Sequence, residues 1–413
     1  MKIAVLGFGS RGRFYAQTFA QYGVETVAAC DIDERRYAVA RQTIGLGKNA
    51  FYTNEDVFFS QGKIADLLVV STQDYDHYRH TVRALDLGYD ILLEKPIACS
   101  VEQCKKIEQK AKETGRKVFV CHVLRYAKFF NTIKTLIDSG KYGKVVAVDQ
   151  TENVGYWHQA HSFVRGNWRR ADETNPMIVA KCCHDLDLIS WFVDSDCESV
   201  SSFGELGFFT KNNAPEGSSD RCLDCKFADS CPYSAKKVYL TDRALKGSFC
   251  WPVDVLDFSG TVEGVERALK EGPYGRCVFK CDNDVVDRQV VDMKFKNGAV
   301  AHLTMTAFSE KMFRETHVHC SYGEIYGNTQ DNKLYCNIFG KEQKIIDLNL
   351  QKDSAFGHGG GDINMVKEIC DSVEGRKTRC LTSIEQSMQS HYIGFNAEKS
   401  RQNGGVLVSL KDD

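Results

Sequence analysis

Three groups of residues have the types and spacing for chemistry, and the first lies at the start of the chain. Gly7, Gly9 and Gly12 stand as G-x-G-x-x-G directly after an apolar run, residues 2–6, with Ser10 and Arg11 inside the motif. The spacing predicts a strand, a tight turn and a helix whose free N–H groups face an anion. One glycine makes the turn, one lets a pyrophosphate approach the backbone, and one packs helix on strand. Asp31 ends the next strand-like segment, residues 26–30, and lies 31 − 12 = 19 residues beyond the last glycine. A carboxylate there accepts both hydroxyls of an adenosine ribose and repels a 2′-phosphate, so the pattern implies NAD before NADP, with Arg35 and Arg36 as opposing charges nearby. A glycine turn serving only the chain is the plainer reading, and the order of strand, turn, helix and acid weighs against it.

The second group follows two further strand-like segments. Residues 66–72 break into a polar turn at 73–77, which sets Ser71, Thr72 and His77 at the strand end where such sheets bind ligands. Residues 90–93 run into Glu94, Lys95 and Pro96, a charged pair aimed at the same crevice with a proline stiffening the exit. Lys95 is therefore a candidate for chemistry, against the plain alternative of a solvated surface lysine. Further on, His184 and Asp187 share a face of an amphipathic helix, a spacing that suits a histidine proton acceptor oriented by a carboxylate. A satisfied core histidine is the alternative. Between them, Tyr156, Trp157, His158, His161, Arg165, Asn167, Trp168, Arg169 and Arg170 form a dense polar and aromatic stretch suited to a polyol. Arg125, Lys181 and His358 join the candidate substrate contacts. His358 lies in the run 357–362, where successive glycines permit close backbone approach to a ligand; a flexible loop with Asp362 capping a helix is the bland account.

The third group is Cys222-x2-Cys225-x5-Cys231, in a polar insertion at about 213–281 that also holds Cys250, Cys277 and Cys281. Thiolates so spaced suit a structural zinc, with Cys277 favoured over Cys250 as fourth ligand because it lies in a turn expected to return to the sheet. An iron–sulfur cluster and thiols that merely pack are the alternatives. Cys182 and Cys183 read as small buried hydrophobes.

These residues need a scaffold, and the glycine motif, Asp31, the Ser71–Thr72 strand end with His77, and Glu94-Lys95-Pro96 together resemble the Gfo/Idh/MocA oxidoreductases over nearly the whole chain. The resemblance implies an α/β architecture. A Rossmann domain at 1–121 would be followed, at 122–413, by an α/β domain with a large, mostly antiparallel sheet that lines the substrate site and often supports homo-oligomers. It also implies oxidation or reduction of sugars, cyclitols and their derivatives, with Lys95 near the nicotinamide and His184 as acid/base or substrate ligand. One departure stands out: many sugar dehydrogenases of the family carry an aspartate four residues before that histidine, and here position 180 is alanine. Lys181, Tyr156 or His158 are the candidates to fill that gap, Tyr156 as a phenol bridging substrate and relay. Strand-like segments at 285–295 and 300–306, a turn into a strand at 321–325, and helices at 363–374 and 383–402 that pack back on the first domain complete the expected fold.

Composition sets the outer bounds. The chain has 413 residues, 43% hydrophobic and 26% charged, which suffices for two domains with real cores. A net charge of −2 from 53 basic and 55 acidic side chains gives no field for nucleic acid or an anionic membrane, so a neutral small molecule is the expected partner, which the resemblance implies is a carbohydrate. No signal-peptide pattern opens the chain and no apolar run approaches about 20 residues, so the expected compartment is the cytoplasm. There, 17 cysteines are reduced thiols or metal ligands. Three functions remain open: a sugar or cyclitol dehydrogenase, a glycoside hydrolase that uses NAD transiently through oxidation, elimination, water addition and re-reduction, and a regulatory module that merely binds NAD(H).

Overall fold

The computed structural model describes residues 1–348, 358–377 and 380–410. Two sheets organise the chain. The first contains β1 (Lys2–Leu6), β2 (Glu25–Cys30), β3 (Phe51–Tyr52), β4 (Leu67–Val70), β5 (Asp90–Leu93) and β6 (Val118–Val120), all parallel in the order β3-β2-β1-β4-β5-β6. The strands are short and apolar because helices cover both faces, so every residue of β4 is buried. The order reverses beside β1, and that switch point leaves a crevice at the carboxyl ends of β1 and β4.

The second sheet has nine strands, in the order β14-β13-β12-β11-β7-β10-β9-β8-β15. These are β7 (Val145–Asn153), β8 (Cys197–Glu205), β9 (Arg288–Phe295), β10 (Val300–Thr306), β11 (Phe313–Cys320), β12 (Gly323–Asn328), β13 (Lys333–Ile338), β14 (Lys344–Asp347) and β15 (Val408–Ser409). Every pairing is antiparallel except that of β7 with β10. One face is apolar and packed: Val318 and Cys320 of β11 and Leu303 and Met305 of β10 are buried, while alternate residues face outward. The helix Cys183–Val193 lies on that inner face against β7 and β10.

The two C-terminal helices, Gly361–Val373 and Ile384–Gln402, bridge the sheets. The first packs on the helix Ser10–Gln21 that follows the glycine turn, and the second on β8, on helix Cys183–Val193 and on the first sheet near β6. Val120 N–H donates to the Thr382 carbonyl at 2.8 Å, which ties the last parallel strand to the chain entering the final helix. That clamp sets the side chains of one sheet's crevice against the inner face of the other.

Candidate active site

The glycine turn has the three-way division of labour expected of it. Gly7 has φ +88°, and a Cβ there would meet the Ser71 carbonyl oxygen at 2.5 Å, so turn and strand end touch. A Cβ on Gly12 would run into the carbonyl oxygen of Gly7, which fixes helix against turn. Gly9 differs: a Cβ there would meet nothing within 4 Å. Gly9 also caps helix Ser10–Gln21 with no side-chain acceptor, so the first N–H groups of that helix face open space suited to a pyrophosphate. Asp31 closes β2, its Oδ2 accepting from Phe8 N at 2.8 Å and its Oδ1 from Asp33 N at 2.9 Å, which holds the carboxylate beside the turn. Arg35 is turned onto Asp33, and Arg36 lies over the Phe258 ring. Ser71 Oγ donates to the Gly7 carbonyl at 2.8 Å, and Thr72 Oγ1 meets His80 Nδ1 at 3.0 Å. These residues fit an NAD site.

Other residues expected at the cofactor serve the scaffold. His77 is buried in the first turn of a helix, its ring nitrogens meeting the Pro96 carbonyl at 2.7 Å and the Thr72 carbonyl at 3.1 Å. It fastens the turn after Lys95 and does not border the crevice. Glu94 is buried and accepts from Arg11 Nε at 2.6 Å and Tyr15 Oη at 2.7 Å. Burial opposes its charge, but Arg11 and Tyr15 hold its carboxyl below the ordinary range. Arg11 also donates to Asp362 Oδ1 at 2.7 Å and to Tyr15 Oη, so its guanidinium knits the two sheets together and does not reach for a phosphate.

Lys95 and His184 lie near enough for the charge of one to act on the other. Lys95 Nζ donates to the Ala180 carbonyl at 2.7 Å, so the backbone at position 180 takes the lysine. His184 is 6% exposed, and its Nδ1 is buried without a hydrogen-bond partner. Burial first, then the charge of Lys95, pushes its basicity well below the ordinary value, so it is a neutral imidazole at pH 7. His122 and His358 flank it with ring centroids at 5.7 and 5.9 Å. His358 Nδ1 meets Asp362 Oδ2 at 2.8 Å. Burial pushes the Asp362 carboxyl up, yet Arg11 and His358 win and hold it at about 2, so it is ionised and orients the imidazole. His358 also has φ +70°, a left-handed conformation that costs a non-glycine residue energy and concentrates at working sites.

The expected orientation of His184 by Asp187 is not what the structure shows. Asp187 takes Arg125 Nε at 2.8 Å and Nη2 at 2.7 Å, and Arg125 spends its remaining donors on the carbonyls of Leu381 and Gln386. This buried pair anchors the final helix and leaves Arg125 nothing for substrate. His184's helix is instead seated through its neighbour Asp185, which accepts from Arg314 Nε at 2.8 Å and Gln150 Nε2 at 2.9 Å. Arg314 also pairs with Glu152 at 2.7 Å, and Glu152 takes Lys181 at 3.1 Å, so Lys181 does not fill the gap left by the missing acid.

The polar stretch after residue 151 disperses. His161 is buried, with Nδ1 at 2.9 Å from Tyr239 Oη and its ring stacked on Tyr274 at 4.9 Å, inside the apolar cluster of the insertion. Arg165 is buried and donates to the carbonyls of Arg276 and Tyr233, both at 2.7 Å, and to Cys222 Sγ at 3.5 Å. Trp168 Nε1 donates to Asp74 at 3.2 Å and joins the two halves of the molecule. Tyr156 lines a polar cavity of about 320 Å³ with Trp157, Asp242, Arg243 and Glu310, a lining without Lys95 or His184. His158 does feel Lys181 and Lys95: burial and those cations lower its basicity, and its Nδ1 is buried and unpartnered. In the glycine run, Gly357 lies outside the described residues, and Gly361 abuts the Val123 carbonyl, so that close approach serves the chain. Asp362 does not cap its helix.

Of the cysteines, Cys182 and Cys183 are buried as small hydrophobes. A bridge between Arg221 and Arg276 sets Cys222 beside Cys277, and Cys222 and Cys225 act electrostatically on both Cys231 and Cys277. Cys250 stands exposed beside Ser248. Among the described residues, metal-ligand spacing is met elsewhere, by His317, His319 and Glu324.

Sequence reasoning missed Asp362 as the partner of His358, His122 beside His184, and the Arg314 network. The first pair is close in sequence but joined through a left-handed glycine turn, which helical spacing does not describe; the others depend on long-range packing.

The crevice, the glycine turn and the sheet opposite define an NAD-binding oxidoreductase fold. Residues 1–122 match the Gfo/Idh/MocA oxidoreductase family's NAD-binding Rossmann fold, and residues 134–408 match its C-terminal α/β domain. The chain belongs to this family. It is 25% identical over 365 residues to the oxidoreductase YteT of Bacillus subtilis (strain 168), covering 84% of this chain and 82% of that protein. It is 26% identical over 208 residues to inositol 2-dehydrogenase of Klebsiella pneumoniae (strain 342), covering 48% of this chain and 56% of that relative. The structure of an inositol dehydrogenase homolog from Azotobacter vinelandii complexed with NAD+ superposes with a TM-score of 0.72 at 15% identity, over 99% of this chain and 97% of that one. No helix among the described residues is long and apolar enough to cross a membrane.

Proposed function

We propose that the protein is an NAD-dependent dehydrogenase of a cyclitol, sugar or sugar derivative, with Lys95 and His184 as its catalytic residues. The observation that carries this is the buried, unpartnered Nδ1 of His184 within reach of the charge of Lys95. A buried polar atom without a partner is costly, and a substrate hydroxyl at that point satisfies it. Bound NAD supplies the hydride acceptor, so the carbinol C–H bond breaks toward C4 of the nicotinamide and a carbonyl forms. The chain's own part concerns the proton and the oxygen. Lys95 has two N–H bonds left after Ala180, and its charge favours the developing alkoxide. His184, neutral and within a dry crevice, takes the hydroxyl proton. His358, its ring 5.9 Å from that of His184 and held by Asp362, is partly exposed and passes that proton outward.

Relatives named as inositol 2-dehydrogenases support the substrate class. A redox-cycling glycosidase would draw on the absent acid at Ala180 and on the stretch from Tyr156 to Arg170, but His161, Arg165 and Trp168 of that stretch are bound into the scaffold. Incubation with NAD and a panel of inositols, sugars and nitrophenyl glycosides separates the two. NADH rising in step with product supports the dehydrogenase, and aglycone release without net NADH overturns it.

Two further assignments rest on the same structure. The outer face of the nine-stranded sheet exposes Val146, Phe203, Val300, Ile345 and Leu407, apolar surface that suits a homo-oligomer. Cys222 and Cys225 lie near enough to Cys231 and Cys277 to act on them electrostatically, which supports a structural zinc that would have to draw the four sulfurs together; metal analysis of Cys222→Ser, which must lose one zinc, tests it.

A further inference from the structure

The outer face of the large sheet carries a constellation that the reaction does not use. His317 and His319 are alternate residues of β11, so both leave the sheet on the face opposite buried Thr316 and Val318. Their rings lie 3.7 Å apart between centroids. Glu324 of β12 is directly opposite His319 in register, and Asp149 of β7 is directly opposite His317. The contacts cross diagonally: His317 Nε2 is 2.9 Å from Glu324 Oε2, and His319 Nε2 is 3.1 Å from Asp149 Oδ2. The donor atoms of His317, His319 and Glu324 all lie within 4.8 Å of one another.

We propose that His317, His319 and Glu324 form a surface site for a divalent transition metal ion of the zinc, cobalt or nickel type, with Asp149 placed to complete it. Two imidazoles and a carboxylate are borderline donors that select such ions over magnesium or calcium, which prefer all-oxygen sets. The site is built beyond its donors. Glu324 Oε1 accepts from Asn337 Nδ2 at 2.8 Å, and Asn337 Oδ1 accepts from Gln343 Nε2 at 2.9 Å, a chain that fixes the carboxylate as outer partners fix metal ligands elsewhere. On the other side Tyr326 packs on His317 at 5.0 Å and on Tyr335 at 5.1 Å, so the first imidazole is held in an aromatic row. Two histidines each paired with an acid across strands would be the ordinary account of an isolated pair. It does not explain two imidazoles packed 3.7 Å apart with a ligand atom of each and of Glu324 gathered within 4.8 Å.

In the single chain the side chains of His317, His319 and Glu324 are 34%, 38% and 29% exposed, so an ion can reach them before this face pairs with a second copy, and substitutions spare the core. The test is cobalt(II) titration of the chelator-stripped full-length protein, beside the double variant His317→Ala/His319→Ala and the variant Glu324→Gln. Cobalt on nitrogen and oxygen donors gives weak visible bands, whereas cobalt on the cysteines gives intense thiolate charge-transfer bands, so the sites are read separately. The expected result is a visible-band site that is lost in the double variant and weakened at least tenfold in Glu324→Gln, with thiolate bands and thermal melting unchanged. A titration in which wild type and double variant bind the same amount of cobalt, or in which all bound cobalt shows thiolate bands, overturns the proposal.

Discussion

Replacing Asp362 by asparagine isolates one charge that serves two neighbours. The side chain is 2% exposed, and it joins His358 in the crevice to Arg11 behind the glycine turn. Burial alone would raise its carboxyl, but Arg11 and His358 bring it from an ordinary 3.8 to about 2. At about 1.4 kcal/mol per pH unit, that difference is worth about 2 kcal/mol of folding free energy at neutral pH. Because the folded state holds the group below its unfolded value, the contribution is complete above about pH 4 and is lost as pH falls through about 2. Asp362→Asn keeps the shape and removes the charge, so its urea midpoint at pH 7.5 should fall by the equivalent of about 2 kcal/mol. The deficit should stay constant from pH 5 to pH 8. Turnover should fall as well, by about tenfold or more, because the imidazole of His358 loses the carboxylate that orients it. A variant as stable as wild type, or one that turns over at the wild-type rate, would refute the reasoning.

Gly9→Ala should leave thermal melting unchanged and weaken NAD binding at least about tenfold, about 1.4 kcal/mol, since its new methyl occupies the space meant for phosphate; calorimetric titration reads both. Asp31→Ser should raise the preference for NADP relative to NAD by roughly a hundredfold, because two charges about 5 Å apart at an effective dielectric of about 20 repel by about 3 kcal/mol; the ratio of kcat/KM for the two cofactors checks it. His161 and His391 are both held at about 3, first by burial, so each stays neutral in the fold while the unfolded chain protonates near 6.5. Stability should therefore decline as pH falls from 6.5, each histidine costing about 1 kcal/mol by pH 5.5, measured as urea midpoints across that range. Asp187→Asn should lower stability by about 3–5 kcal/mol because it leaves buried Arg125 without its anion, while the pH profile of any residual activity keeps its shape; a shifted profile would return Asp187 to the reaction.

What the sequence reveals here depends on how local the cause is. Gly7, Gly9 and Gly12 were legible because a turn, an approach and a helix contact each forbid a Cβ within a few residues of one another. Lys95 was legible for a similar reason, since it directly follows a short buried strand, but its neighbour Glu94 turns inward onto Arg11 and Tyr15. The partners of charged side chains were not. Asp187 sits on the same helical face as His184, yet the chain beyond β6 delivers Arg125 to it, and a guanidinium with two donors outcompetes an imidazole for a carboxylate. His161 and Arg165 look like sugar ligands in sequence and become the polar pins of a small insertion with little core, holding Tyr239, Tyr233 and Cys222. The missing acid at Ala180 was visible, but only the fold shows the backbone carbonyl there taking Lys95.

The central claim is that a carbinol hydrogen passes as hydride to NAD in the crevice between Lys95 and His184. Its most direct test is isotope transfer: the protein is incubated with NAD and a cyclitol or sugar deuterated on carbon, and the nicotinamide product is weighed by mass spectrometry beside Lys95→Met and His184→Ala. The account predicts NADH carrying one deuterium per molecule of ketone formed by wild type, and almost none from either variant. Ketone or aglycone formed without deuterium in the nicotinamide pool, or undiminished transfer by both variants, would contradict it.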